Sequence, residues 1–494
     1  MSAQPRIKHA PAGAVVTPLS GAGLRRGRTA SVRVPTGERF VLASGASVTL
    51  VPRGEVPLVA FCAVLRGGAC GDPAQRPGVA ALTAGLLDKG AGERDAFAFA
   101  EAVERAGGSF NALAGAEHLL ISGQFLAEHQ HSLLALLADA LREPHFATAR
   151  LEALRTRHIE LIKAAKDSDP QELLNAYGRA LLFGEHPYGR PVGGSEASLA
   201  AITHADILQY AREQLGADRL SLVLTGAVDI AWLREAAAAG FGDWRAAGSA
   251  APRLAVPPAP SARRVLLVDA PGATQSHFWI GGRGVSRHYP RRAALDLVNT
   301  LYGGRFTSML NTELRIRSGL TYGAHSSFNR GSVPGEFALR ACARTDKTAR
   351  ALELTLATLS RLKQRGITQA MLDSARAYVL GQHPLSFETA ADWAAALAEL
   401  EVYGLGNDYI ESYASALRSV SRADAQLAIA EAVPDAEAIV IVVIGDAARI
   451  RASLAHFGPL AEMTLAQPVF VPASTPPQRA VRRARARHRR ARSA

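Results

Sequence analysis

The sequence predicts an α+β fold made of two homologous α/β sandwich domains joined by a Pro/Ala-rich linker. Three observations predict it. An internal duplication with a period of roughly 215 residues runs through the chain. A stretch dominated by Pro, Ala and Ser separates the two copies. In each copy, apolar strand-like runs are followed by long Ala/Leu-rich helical segments.

The first copy opens with Phe40–Pro52, a hairpin around Ser44-Gly45, and with Leu58–Leu65, a buried strand. Val265–Val268 and Ser276–Gly281 take those places in the second copy. Leu133–Arg142, Ala149–Ala165 and Lys347–Gln364 read as helices. The duplication is clearest near the end of each copy. Ile202-Thr-His-Ala-Asp leads to Leu220–Asp229, and Val420-Ser-Arg-Ala-Asp leads to Ala438–Asp446. Both are a Ser/Thr-capped helix with an acid in its first turn, followed by a buried strand ending at Gly. Asp206 and Asp424 lie 218 apart, and Gly226 and Gly445 lie 219 apart. The predicted boundaries are a flexible basic segment over 1–35, a first domain over 36–246, a linker over 247–263, a second domain over 264–467 and a disordered Arg-rich tail over 468–494.

The net charge of +12 suggests nucleic acid until it is located. Eight arginines and no acid fall within 479–492, and six Lys or Arg and no acid within 1–37. Removing these fourteen leaves the body at about −2, so no nucleic-acid partner is expected of the folded part. Cys62, Cys70 and Cys342 form no CxxC pair and are odd in number, which indicates neither a disulfide framework nor a Cys-based zinc site. No apolar run approaches the ~18 residues that span a bilayer. No signal peptide is visible, and a cytoplasmic or periplasmic location stays open.

Two stretches carry the chemistry. Pro77-Gly-Val-Ala-Ala-Leu-Thr-Ala-Gly-Leu-Leu-Asp-Lys-Gly90 is a short helical segment with a face of small residues, Ala80, Ala81, Ala84 and Gly85. Such a face predicts close helix-to-sheet packing. Glu313-Leu-Arg-Ile-Arg-Ser-Gly-Leu-Thr-Tyr322 places Arg315, a permanent forked cation, seven residues before a stiff neutral phenol donor. The competing reading pairs Arg315 with Glu313 and packs Tyr322 in a core. Arg317 should face elsewhere, and His325 and Asn329 read as sheet or loop residues. Three Glu-His dipeptides, at His118, His129 and His186, have Ala114, Phe125 and Leu182 four residues before the His, so neither HxxEH nor HExxH occurs. In Glu128-His129-Gln130-His131 the two imidazoles are two residues apart and diverge on a helix.

With these motifs, the linker and the duplication, residues 36–465 resemble the pitrilysin/insulinase-type zinc peptidases, family M16, and in particular their short bacterial two-domain subunits. The resemblance implies a LuxS/mitochondrial-processing-peptidase-like fold. In active relatives the segment matching Pro77–Gly90 carries His-x-x-Glu-His, two ligands on one helical face and a base for the attacking water. Those positions here are Ala81, Ala84 and Gly85. A third ligand, a Glu farther on, falls at Ile162, with Glu160 two residues before it. The resemblance therefore implies a degenerate zinc helix and no metal on this chain. Phe110-Asn111-Ala112 matches the edge strand that lines the cleft and pairs with extended peptides, and His186-Pro-Tyr-Gly-Arg-Pro191 matches a structural loop. Arg315 and Tyr322 match the pair that holds the substrate carbonyl. Together these matches imply a metal-free subunit, inactive alone, that completes a peptidase with a homologous zinc-bearing partner and a peptide substrate. The resemblance leaves a homodimer open in the absence of that partner. The alternative is a non-catalytic peptide-binding or structural scaffold subunit.

Overall fold

A computed structural model describes residues 32–54 and 56–472. The Arg-rich run at 479–492 and most of the basic N-terminal segment lie outside the described residues.

The first half supplies strands β1 (Glu38–Val41), β2 (Ser47–Pro52) and β3 (Leu58–Arg66), a two-residue pair β4 (Gly90–Ala91) and β5 (Arg94–Asp95), then β6 (Ser109–Ala114), β7 (His118–Leu126) and β8 (Leu220–Gly226). The second supplies β9 (Arg264–Asp269), β10 (Gln275–Arg283), β11 (Ala324–Phe328), β12 (Glu336–Arg344), β13 (Val440–Gly445) and β14 (Leu460–Thr464). Two mixed six-stranded sheets result, ordered β1-β2-β8-β3-β7-β6 and β14-β9-β13-β10-β12-β11. Five strands correspond one to one. β2 and β9 pair in parallel with β8 and β13, and β3 and β10 then run antiparallel to them. The sixth strand differs. β1 reaches the outer edge through a hairpin, whereas β14 arrives from the far end of the chain and pairs in parallel with β9.

Local chemistry explains the repeated pieces. Thr203 caps the helix His204–Gln214 and Ser421 caps Arg422–Ala432, each in a reciprocal capping box closed by Asp206 or Asp424. The strands after these helices, β8 and β13, are buried at every position, which is why they read as unbroken apolar runs. β8 stops at Gly226, where φ is 120° and an added Cβ would stand 2.1 Å from the Leu58 carbonyl oxygen, so only glycine fits.

The halves exchange helices. Leu174–Phe183 belongs to the first half, yet Leu174, Tyr177 and Leu181 pack on Leu266, Trp279 and Val442 of the second sheet. Ala390–Tyr403 belongs to the second half, yet Trp393, Ala394 and Leu397 pack on Ala60, Cys62 and Val223 of the first. Each crossing helix is pinned by polar contacts. Arg264 donates to the Leu181 carbonyl (2.8 Å) and Arg179 pairs with Glu336 (2.6 Å). Thr225 donates to the Ala390 carbonyl and Arg39 grips Glu401 through two bonds of 2.7 and 3.0 Å. Boundaries drawn along the chain therefore do not bound the two cores in space.

The ends also stay packed farther than composition predicts. Val32 and Val34 pack against the hydrophobic cluster that the helix Ala390–Tyr403 forms with the first sheet. The predicted tail begins at 468, but Phe470 is buried edge-on against Tyr177, and the Pro468 carbonyl accepts from the Ala197 amide (3.0 Å). One aromatic side chain with an apolar shelf to cover outweighs the tail-like composition around it.

Candidate functional site

The segment expected to match a zinc helix forms the helix Val79–Leu86. Its N-terminus is held by Asp72, whose two carboxylate oxygens accept from the Gly78 (2.7 Å) and Ala80 (2.8 Å) amides. Burial pushes the Asp72 carboxyl up to about 7, with those amides and Arg190 pulling the other way. Ala80 and Ala84 are buried and Ala81 half-buried. Gly85 faces another helix rather than a sheet, which corrects the expected packing on that side. A Cβ there would lie 2.9 Å from Leu154 Cδ2 on the helix Thr148–Ser168. Ile162, on the same long helix, lines a cavity of about 360 Å³ with His158 and Leu161. Glu160 turns to the surface and pairs with Lys163 at 2.9 Å. Among the described residues His129 lies 4.0 Å from Glu128, and His131 packs on Trp232. Among the described residues, no group of three or more His, Cys, Asp or Glu converges so that it could hold a metal. Two alanines, a glycine and an isoleucine offer neither a lone pair to a cation nor a site for a proton, so zinc does not fit this helix.

Phe110, Asn111 and Ala112 lie on β6, the free edge of the first sheet. Phe110 anchors the strand by packing on Phe61 and, edge-on, on Phe99. Asn111 is exposed on the opposite face. The loop His186–Pro191 is structural. His186 Nδ1 accepts from the Tyr188 amide while Nε2 donates to the Ala255 carbonyl of the linker. Tyr188 donates to Glu117 (2.6 Å), which also accepts from the Ser332 amide of the other half (2.9 Å).

Arg315 and Tyr322 come together in space. Two π-helical turns, Thr300–Gly304 and Thr312–Arg317, flank the short helix Met309–Asn311. Such turns are widened helix segments that recur at functional sites. Arg315 leaves the second of them and lies between two rings, 4.8 Å from the centroid of Phe306 and 4.7 Å from that of Tyr322. Tyr322 is 84% exposed, so it is not a core residue. Glu313 is not the partner of Arg315; it is shared by Arg317 (2.7 Å) and Arg361 (3.0 Å).

Arg315 opens onto a chamber of about 760 Å³ whose walls come from both halves, Gln171–Asn175 on one side and β10–β12 on the other. Its volume lies within the range of about 300–1,000 Å³ usual for ligand clefts. His325, expected to be a plain sheet residue, lies on the chamber floor beside Arg340. Burial and the neighbouring Arg340 hold the His325 imidazole below its ordinary pKa. Asn329 donates to Glu336 and is structural. The sequence reading missed Phe306, Arg305 and Arg340. The available signal was Arg340 itself, a charge in the middle of the apolar run Glu336–Arg344.

Comparison with known proteins extends these observations. Residues 57–196 match the family described as insulinase (peptidase family M16), and residues 201–379 match the peptidase M16 inactive domain. An uncharacterized zinc protease of Mycobacterium leprae is 29% identical over 329 residues, covering 65% of this chain and 72% of that protein. Non-peptidase homolog YmxG of Helicobacter pylori is 25% identical over 343 residues, covering 69% and 77%. Among solved structures, a peptidase M16 inactive domain from Pseudomonas fluorescens superposes with a TM-score of 0.77 at 24% identity, covering 83% of this chain and 98% of that one. A protease from Helicobacter pylori gives the same TM-score at 19% identity, covering 83% and 99%. At such identities the structural likeness establishes the fold.

Proposed function

The chain belongs to the M16 (insulinase) peptidase family, and from that premise we propose that it is the metal-free subunit of a heterodimeric zinc metallopeptidase. A homologous zinc-bearing subunit supplies the metal, the attacking water and the general base. This chain supplies Arg315 and Tyr322, which orient an extended peptide and donate to the carbonyl oxygen as negative charge develops on it. The β6 edge offers backbone for the same peptide to pair with. One observation carries the reading. A guanidinium that meets no carboxylate among the described residues lines a chamber, with an exposed phenol against it, in a chain whose positions matching the zinc motif are Ala81, Ala84 and Gly85.

The test is co-purification with a zinc-bearing relative followed by peptide cleavage. Removing a preorganised donor to a developing oxyanion costs about 10²–10³ in turnover. Arg315→Ala should show a loss of that order and Tyr322→Phe a smaller one, with assembly unchanged on size exclusion. Unchanged turnover in both variants rejects the clamp. A second reading is a non-catalytic peptide-binding or scaffold subunit, favoured by the name of the Helicobacter pylori non-peptidase homolog. It predicts a stable complex whose cleavage rate ignores both substitutions.

A further inference from the structure

The chamber holds more positive charge than a carbonyl clamp needs. Arg340 stands on its floor, paired across the sheet with His325 on one side and the buried Trp279 on the other. Arg305 and Arg315 stand on the wall. Among the described residues none of the three guanidiniums meets a carboxylate. Arg315 touches two rings, Arg305 donates to the carbonyl (3.3 Å) and hydroxyl (3.1 Å) of Ser374, and Arg340 makes no hydrogen bond or ion pair among the described residues. The next arginines along behave differently, since Arg317 and Arg361 are both satisfied by Glu313. Among the described residues only one carboxylate, Glu172, lines the same space, from the opposite wall. Three permanent cations against one anion in a concave site focus a positive potential on whatever enters. A half-buried guanidinium with five free donors is matched in shape and charge by a carboxylate.

We infer that this chamber selects peptides bearing a carboxylate close to the bond presented to the clamp, and that Arg340 is the specificity-determining residue that receives it. The carboxylate is an Asp or Glu side chain or the peptide's own C-terminus. Arg315 is then left for the carbonyl, and Arg305 adds field without contact. This inference rests on the proposed peptide-gripping role. It is read by binding to the isolated full chain, which needs neither zinc nor cleavage, so the two can fail separately.

The experiment is fluorescence anisotropy with dye-labelled peptides matched in every respect but one. The first is C-terminally amidated with a central Glu, the second has Gln there, and the third has Gln with a free C-terminus. A charge-assisted hydrogen bond predicts that the Glu peptide binds about tenfold or more tightly than its Gln counterpart. Arg340→Ala should abolish that preference, Arg340→Lys should retain part of it, and Arg350→Ala, on an exposed helix face, should leave it intact. A gain by the third peptide alone assigns the same Arg340 site to the chain end. Equal binding of all three peptides, no binding of any, or a preference that survives Arg340→Ala overturns the inference. Thermal melts confirm that the variants are folded, and if the alanine variant is not, the lysine variant decides. Should the co-purified pair cleave Glu and Gln peptides at equal rates, the inference falls and the proposed function stands.

Discussion

The same row of residues can be read across both sheets. In the first it runs Asn111, Ser122, Cys62, Val223, and in the second His325, Arg340, Trp279, Val442. The registers make these positions equivalent, and Val223 and Val442 are 219 apart, like the glycines that end their strands. In both sheets Val and its neighbour, Cys62 or Trp279, lie beneath the helix donated by the other half. Toward the free edge the rows part. The first continues with small neutral groups, the second with a cation and an imidazole. The edges differ too. Both β6 and β11 have a strand neighbour on one side only, but β11 is also stitched to its own half by Asn311, which accepts from the Ala324 amide (2.9 Å), and by Asn299, which donates to the Ser326 carbonyl (3.2 Å). Duplication preserved the backbone and let side chains divide the work. One half presents small neutral groups along this row and on the helix Val79–Leu86, and the other concentrates positive charge.

The largest effects expected of this comparison lie where the halves are most alike. Tyr177 and Trp393 are both fully buried anchors of the crossing helices, each against the other half's sheet. Either residue changed to Ala should cost about 3–5 kcal/mol, the range for large aromatic deletions. Trp393 should lie at the upper end because Arg53 also stacks on its ring. Urea unfolding midpoints measure both. A loss below about 1 kcal/mol at one position only would show that a single helix holds the halves together.

A smaller effect separates the helix Val79–Leu86 from its counterpart Arg292–Asn299, which pack respectively on the twin capped helices His204–Gln214 and Arg422–Ala432. Gly85→His drives a side chain into Leu154 and should cost about 1–3 kcal/mol, as overpacking does. The triple change Ala81→His, Ala84→Glu, Gly85→His should still bind no stoichiometric zinc, because Ile162, the position at which the family resemblance implies a third ligand, offers only hydrocarbon. Elemental analysis of the purified variant decides, and one zinc per chain would show that the fold kept the site and lost only its ligands.

Much of this was legible in the sequence because it rests on local rules. Thr203-x-x-Asp206 and Ser421-x-x-Asp424 announce their caps, and the apolar runs 220–226 and 440–445 announce strands buried on both faces. Arg315 and Tyr322 could be singled out by the family motif that Glu313–Tyr322 resembles. The helix exchange was not legible, because an apolar face on Leu174–Phe183 states that it is covered and not by which sheet. β14 was hidden because Leu460–Thr464 alternates weakly at an edge. Arg340 was passed over for a related reason. Whether a strand residue faces core or chamber depends on what covers that face, and here the first half covers only part of it.

The capping boxes offer the finest comparison, since the same four-residue device is built twice with one difference. The Thr203 and Ser421 amides donate to Asp206 (2.7 Å) and Asp424 (2.8 Å), and each hydroxyl accepts in return. Thr203→Ala and Ser421→Ala should each cost about 1 kcal/mol in thermal or urea unfolding. At the acids the twins should diverge. Arg76 also pairs with Asp206 (2.5 Å), a contact Asp424 lacks, so Asp206→Asn should be the more costly by up to about 1 kcal/mol, the ceiling for a partly exposed ion pair. The pH dependence is set by the protonation states. Hydrogen bonds from Ser421 hold the Asp424 carboxyl below its ordinary pKa, and at Asp206 bonds from Thr203 and Arg76 outweigh the opposing effect of burial. A carboxylate whose pKa is depressed on folding stabilises fully above its unfolded value, about 3.9, and loses that contribution as pH falls through the lower folded value. The cost of either Asp→Asn change should therefore be constant from neutral pH to about 4 and shrink at more acidic pH. A cost that grew with acidity would mean that these acids act through something other than their charge.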